Sequence, residues 1–176
     1  DETEQYENKR KFSFLDPARR LVLVTSHRRE NFGAAMNGIC RALHRIVAAH
    51  GDVELVYPVH LNPNVRRPVF EVLGAGKGPE AGRIHLIDPV DYISFVYLMT
   101  RAHIILTDSG GIQEESPSLG VPTLILRDTT ERPEAVRAGC ALLVGTDEER
   151  IVAEAAKLLQ DDKHYASMSR VENPFG

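Results

Sequence analysis

Tryptophan is missing from these 176 residues, cysteine occurs only twice, and aromatic residues amount to 6%. Cys40 and Cys140 are far apart in sequence without CxxC spacing, which disfavours a redox pair, a disulfide framework or a zinc site and predicts two buried reduced thiols. The 7 histidines never form HExxH or a comparable cluster, so no metal is expected. Positive charge is not in surplus: 21 Lys and Arg stand against 25 Asp and Glu, a net charge of −4. That removes the general electrostatic reason to bind nucleic acid or an anionic membrane, so an anionic ligand must be held by a local device. No apolar run approaches the roughly 18 residues of a membrane-spanning helix. The amino end, from Asp1 through Lys11, is charged rather than signal-like, and the cytoplasm is the expected compartment.

What remains is a globular composition, 43% hydrophobic and 26% charged, in a length suited to one domain. Residues 1–19 mix charges without an apolar period and read as a linker or truncated edge ahead of a domain at 20–176. Leu21-Val22-Leu23-Val24-Thr25 is a continuous apolar run, the mark of a parallel strand covered on both faces. Met36, Ile39, Cys40, Leu43, Ile46 and Val47 then follow helical spacing, and Gly51 is placed as a stop. A strand over Val53–Tyr57 leads to Asn62-Pro63, a cap with proline at the first helical position. The glycine-rich stretch 74–82 carries Lys77 before Gly78 rather than Ser or Thr and follows a helix, so it predicts an exposed flexible loop and not a P-loop. Further strands are expected at Ile84–Ile87, Ile104–Leu106, Val121–Leu126 and Ala141–Val144, with helices through Tyr92–Met99, Pro133–Ala138 and Asp147–Gln160. Alternation of this kind implies an α/β fold, a doubly wound Rossmann-like parallel sheet with helices on both faces.

One stretch organises the rest: Thr107-Asp108-Ser109-Gly110-Gly111-Ile112-Gln113-Glu114-Glu115 follows a strand, turns at two glycines and opens a helical segment reaching Leu119. A helix start has N–H groups without partners, and glycines let an anion approach them, so the turn suits a phosphate or diphosphate. Glu115 lies four residues beyond Gly111, on roughly the same helical face, where a carboxylate can accept both hydroxyls of a ribose. The plainer alternative makes Ser109 a helix cap and Glu115 a solvated side chain. His27, His60, Ser109 and Arg132 all fall after predicted strands, where ligands of such sheets bind. His27 suits acid–base or phosphate contact, against an ordinary strand-end role. Arg132 suits phosphate, against an ion pair with its acidic neighbours. Phe95 reads as a core position on an amphipathic helix.

The motifs Ser26-His27-Arg28-Arg29-Glu30-Asn31-Phe32-Gly33, Pro58-Val59-His60-Leu61-Asn62-Pro63-Asn64-Val65-Arg66, Asp108 through Glu115, and Arg127-Asp128-Thr129-Thr130-Glu131-Arg132-Pro133-Glu134 resemble, in this order, the C-terminal half of non-hydrolysing UDP-N-acetylglucosamine 2-epimerases. The resemblance implies one half of a GT-B-like two-domain isomerase that needs no cofactor. UDP is eliminated and added back, converting UDP-N-acetylglucosamine to UDP-N-acetylmannosamine. It implies His27 as a catalytic residue, and Phe95, Ser109, Gly110, Gly111, Glu115 and Arg132 as UDP-binding. Arg28 and His60 match positions that hold a second, allosteric UDP-sugar in some members. It further implies that the proton-transfer carboxylates lie in an N-terminal domain outside this chain, that the chain alone is inactive, and that the complete enzyme is a homodimer of cell-surface polysaccharide biosynthesis. The nucleotide-binding half of a glycosyltransferase and a non-catalytic UDP-sugar-binding module remain alternatives.

Overall fold

A computed structural model describes residues 1–74, 76 and 78–176. Six parallel strands, β1 (Arg20–Thr25), β2 (Val53–Pro58), β3 (Ile84–Ile87), β4 (Ala102–Thr107), β5 (Thr123–Ile125) and β6 (Ala141–Leu143), form one sheet in the order β3-β2-β1-β4-β5-β6. The order reverses between β1 and β4, and such a switch point opens a crevice at the carboxyl ends of the two strands. Strand β5 is shorter than the apolar run 121–126 because only Thr123–Ile125 find ladder partners on both sides.

The uninterrupted apolar runs serve two cores at once, since successive side chains of a strand point to opposite faces. Val22 and Val24 join Leu55, Tyr57, Ile104 and Leu106 in a core closed by α2 (Ala34–Ala49), α3 (Pro63–Leu73) and α7 (Glu148–Gln160). Leu21 and Leu23 join Val56 and Ile105 beneath α4 (Tyr92–Arg101) on the other face. Asn62 caps α3 by accepting from the Asn64 N–H, with Pro63 opening the helix. Cys40 and Cys140 are free and buried, and burial pushes the Cys40 thiol up to about 12.

Residues 1–19, expected as a linker or truncated edge without an apolar period, carry a helix. Glu2–Lys11 form α1, capped by Asp1, with acids in its first turn and bases in its last. The helix has no apolar stripe; its anchors come just after it, where Phe12 and Leu15 are 2% and 6% exposed. Phe12 stacks on Tyr97 of α4 at 5.7 Å, and the Ser94 hydroxyl donates to Asn8 at 2.9 Å. Apolar periodicity within a helix does not reveal anchors placed beyond its end.

Two further differences have local causes. The helix after the glycine turn is α5 (Gly110–Glu115), continued to Leu119 by a 3-10 turn that opens at Ser116-Pro117. Proline lacks the N–H that the α ladder needs, so the tighter turn takes over. Within 74–82, Ala75 and Lys77 lie outside the described residues, but Pro79–Arg83 form a 3-10 helix rather than an open loop. It ends on the buried Arg83, whose Nη1 donates to the Val47, His50 and Val53 carbonyls at 2.9, 2.9 and 2.8 Å. Helix α6 (Pro133–Ala138) forms as expected, and past α7 the chain adds an unforeseen α8 (Asp162–Ser169), whose Tyr165 stacks on His103 at 4.1 Å.

Candidate functional site

At the switch point the ends of β1 and β4 are tied by a hydrogen bond of 2.8 Å between the Thr25 and Thr107 hydroxyls. Just beyond, Asp108 is fully buried and accepts from the Ser26 hydroxyl at 2.9 Å, the His27 and Arg28 N–H groups at 3.0 Å each, and the Asn31 amide at 3.1 Å. A buried carboxylate must collect such donors, so the chain after β1 folds around Asp108. The sequence shows Asp108 only as a member of the glycine motif; its buried carboxylate sets the loop that carries His27. The His27 Nδ1 lies 3.7 Å from Asp108 Oδ1, outside hydrogen-bond range, and its ring is half-exposed.

His27 faces a cavity of about 300 Å³ lined also by His60, Tyr92, Phe95, Ser109, Gly111 and Glu115. The His27 and His60 rings stack at 5.6 Å and 12°. His60 Nδ1 accepts the Asn62 N–H at 3.1 Å, so a neutral His60 carries its proton on Nε2. Phe95 is packed against the core under α4 and also lines the cavity. Pro58, Pro89, Val90 and Ile112 make the remaining wall largely apolar.

The glycine turn is more open than a simple cap requires. Ser109 makes no side-chain cap bond, leaving the first-turn N–H groups free of it. Neither Gly110 nor Gly111 has a positive φ, and a Cβ on Gly111 would meet only the Ser109 hydroxyl at 3.9 Å. Packing within the chain gives no reason for glycine at 111, which lines the cavity.

Gly110, Arg28 and Arg132 stand outside the cavity lining. Arg28 Nε donates to the Asp108 carbonyl at 2.9 Å and its Nη1 lies 3.4 Å from Glu131, whose carboxyl is lowered chiefly by Arg28. Arg132 pairs with Glu114, and a Cβ on Gly110 would lie 3.8 Å from its guanidinium. Gln113, also fully buried, connects the two parts: its amide donates to Ser109 O at 3.2 Å and accepts from Thr130 at 2.6 Å, while Thr130 accepts the Arg132 N–H at 2.9 Å. The sequence shows Gln113 inside the glycine motif but gives no spacing rule linking it to Thr130. Tyr92 is also missed, because an aromatic opening an amphipathic helix has the pattern of a core residue. Among the described residues no three His, Cys, Asp or Glu side chains converge as metal ligands, and no helix is long and apolar enough to cross a membrane.

A family model described as UDP-N-acetylglucosamine 2-epimerase matches residues 1–176. The chain is 56% identical over 165 residues to the UDP-N-acetylglucosamine 2-epimerase of Escherichia coli K12, an alignment covering 94% of this chain and 43% of that protein. It therefore spans less than half the length of that curated relative. The crystal structure of UDP-GlcNAc 2-epimerase from Neisseria meningitidis bound to UDP-GlcNAc superposes with a TM-score of 0.93 at 43% identity, covering 99% of this chain and 46% of that one. The C-terminal domain of a group 1 glycosyl transferase from Francisella tularensis shares the fold alone, with a TM-score of 0.69 at 14% identity over 96% of this chain and 88% of that one.

Proposed function

Since the chain belongs to the UDP-N-acetylglucosamine 2-epimerase family, we propose that it is the UDP-holding half of a non-hydrolysing isomerase interconverting UDP-N-acetylglucosamine and UDP-N-acetylmannosamine. The observation that carries this reading is the cavity at the β1–β4 switch point, where Ser109, Gly111 and Glu115 meet His27. A diphosphate sits on the open N–H groups of the glycine turn, and the ribose hydroxyls donate to Glu115. The apolar wall with Phe95 faces the base. Arg132 exchanges Glu114 for a phosphate oxygen, for which a guanidinium fork is well shaped.

Elimination of UDP leaves negative charge on the departing diphosphate. His27, held at the cavity by the loop around Asp108, stabilises that charge or protonates the leaving oxygen. Residues 20–176 form the UDP-binding unit, with α1 packed on its α4. The carboxylates that move the C2 proton belong to the part of the complete enzyme that this chain does not span. Arg28 and His60 are candidates for an allosteric UDP-sugar contact. The complete enzyme works as a homodimer in the cytoplasm, feeding cell-surface polysaccharide synthesis.

Titration calorimetry of the 176-residue chain tests the reading. The diphosphate site contributes more than the base contact, so UDP is expected to bind more tightly than uridine. Equal affinity would remove the phosphate site from the reading.

A further inference from the structure

The acidic residues around the cavity mouth divide into two kinds. Glu30 pairs with Arg127 at 2.7 Å, Glu131 with Arg28 at 3.4 Å, and Glu114 with Arg132. Glu115 differs: it is the carboxylate in the cavity lining, and among the described residues no cationic group lies within salt-bridge range of it. Its recorded side-chain partner is neutral, the Tyr92 hydroxyl, which donates to Glu115 Oε2 at 3.2 Å.

Tyr92 is placed for this contact by the start of α4. Asp91 caps the helix by accepting the Ser94 N–H at 2.7 Å, and Tyr92 follows as its first residue. Tyr92 is 68% exposed, so burial does not explain an aromatic there. The chemistry does: a glutamate's terminal torsion is soft, so an unanchored carboxylate must be oriented when a ligand arrives. A guanidinium would orient it but would also satisfy and neutralise it. A phenol occupies one acceptor site on Oε2 and leaves the charge and the remaining acceptor sites facing the cavity. The phenol is protonated at neutral pH in any case, and the nearby carboxylate raises the Tyr92 pKa further.

We propose that Tyr92 is a positioning residue that holds Glu115 ready for a vicinal diol, and thereby sets the preference of this site for ribonucleotides over 2′-deoxyribonucleotides. The proposal rests on the reading of the cavity as a UDP site, and the test separates the two. Calorimetry with UDP and 2′-deoxy-UDP is run on the wild type, Y92F, E115Q and the double variant. The wild type is expected to prefer UDP. Y92F is expected to weaken UDP roughly 3- to 10-fold and 2′-deoxy-UDP by less than about 2-fold, so the preference narrows. Y92F added to E115Q should change UDP affinity by less than about 2-fold, because the phenol acts through the carboxylate. An equal loss for both nucleotides in Y92F, or no loss for either, overturns the positioning role and leaves Tyr92 as a wall of the cavity. A wild type that binds both nucleotides equally also overturns it while sparing the UDP site. A wild type that binds neither overturns the site reading and this inference with it.

Discussion

At the carboxyl ends of β1 and β4 a buried carboxylate collects donors from one short loop, whereas at the amino ends of the strands guanidinium groups collect carbonyls from several elements. Asp108 gathers Ser26, His27, Arg28 and Asn31, residues that are close neighbours in sequence. Arg83 instead joins the carbonyls of Val47, His50 and Val53, and Arg20 joins Asp52 to the Leu159 carbonyl. The first arrangement shapes a surface that faces a cavity, and the second ties helix ends to strand starts. Both satisfy buried polar groups, yet only the first fixes side chains that a ligand can meet.

Catalysis should separate the two ends most sharply. The 176-residue chain alone is expected to give no exchange of the C2 proton of UDP-N-acetylglucosamine in heavy water, followed by NMR, if the proton-transfer groups lie outside it as proposed. In the complete enzyme His27→Ala should lower turnover by about 10²–10⁴-fold. Exchange by the chain alone would break the proposed division of labour.

Next in size is stability. Asp108→Ala leaves several buried donors without an acceptor and should cost about 3 kcal/mol, with UDP binding lost in what remains folded. Arg83→Met should destabilise by about 1–3 kcal/mol while leaving UDP affinity unchanged. Denaturant melts and calorimetry on both variants would check this, and a loss of UDP affinity in Arg83→Met would dissolve the contrast between the two ends.

A smaller effect, confined to the site, is expected from Glu115→Gln. The amide keeps the shape but loses the charge, so UDP binding should weaken by about 1–3 kcal/mol with little change in melting. Unaltered UDP affinity would make Glu115 an ordinary surface residue.

The smallest effect belongs to the amino end. Burial holds the His103 pKa below its ordinary 6.5, and among the described residues its Nε2 has no hydrogen-bond partner. The unfolded chain therefore takes up a proton below 6.5 that the folded chain resists. This contribution is intact above 6.5 and is lost as pH falls toward the lower folded value. His103→Phe keeps a ring against Tyr165 and should reduce the drop in melting temperature between about pH 7.5 and about pH 5.5. An unchanged slope would remove His103 as its source.

Cys40, Leu43 and Val47 on α2, and the apolar runs of β1 and β4, declare their faces through spacing, because burial against a neighbour demands a period of 3.6 or a continuous apolar run. The same logic puts His27, His60 and the glycine turn at one edge of the sheet, since each follows a strand of a parallel set. Spacing cannot show which side chains meet. Gln113 and Thr130 touch only because α5 and the loop after β5 converge, and Tyr92 reaches Glu115 only because the start of α4 lies beside the end of α5. Helix α1 is held by Phe12 and Leu15, which lie just past its end.

The sequence by itself determined the parallel α/β sheet and the edge where ligands enter, because both follow from local apolar patterning and the order of elements along the chain. Tertiary structure decided that Asp108 is a buried anchor, that Arg28 and Arg132 face acidic partners outside the cavity lining, and that the Tyr92 phenol donates to Glu115. Those outcomes depend on distances and burial between segments remote in sequence, which no local pattern encodes.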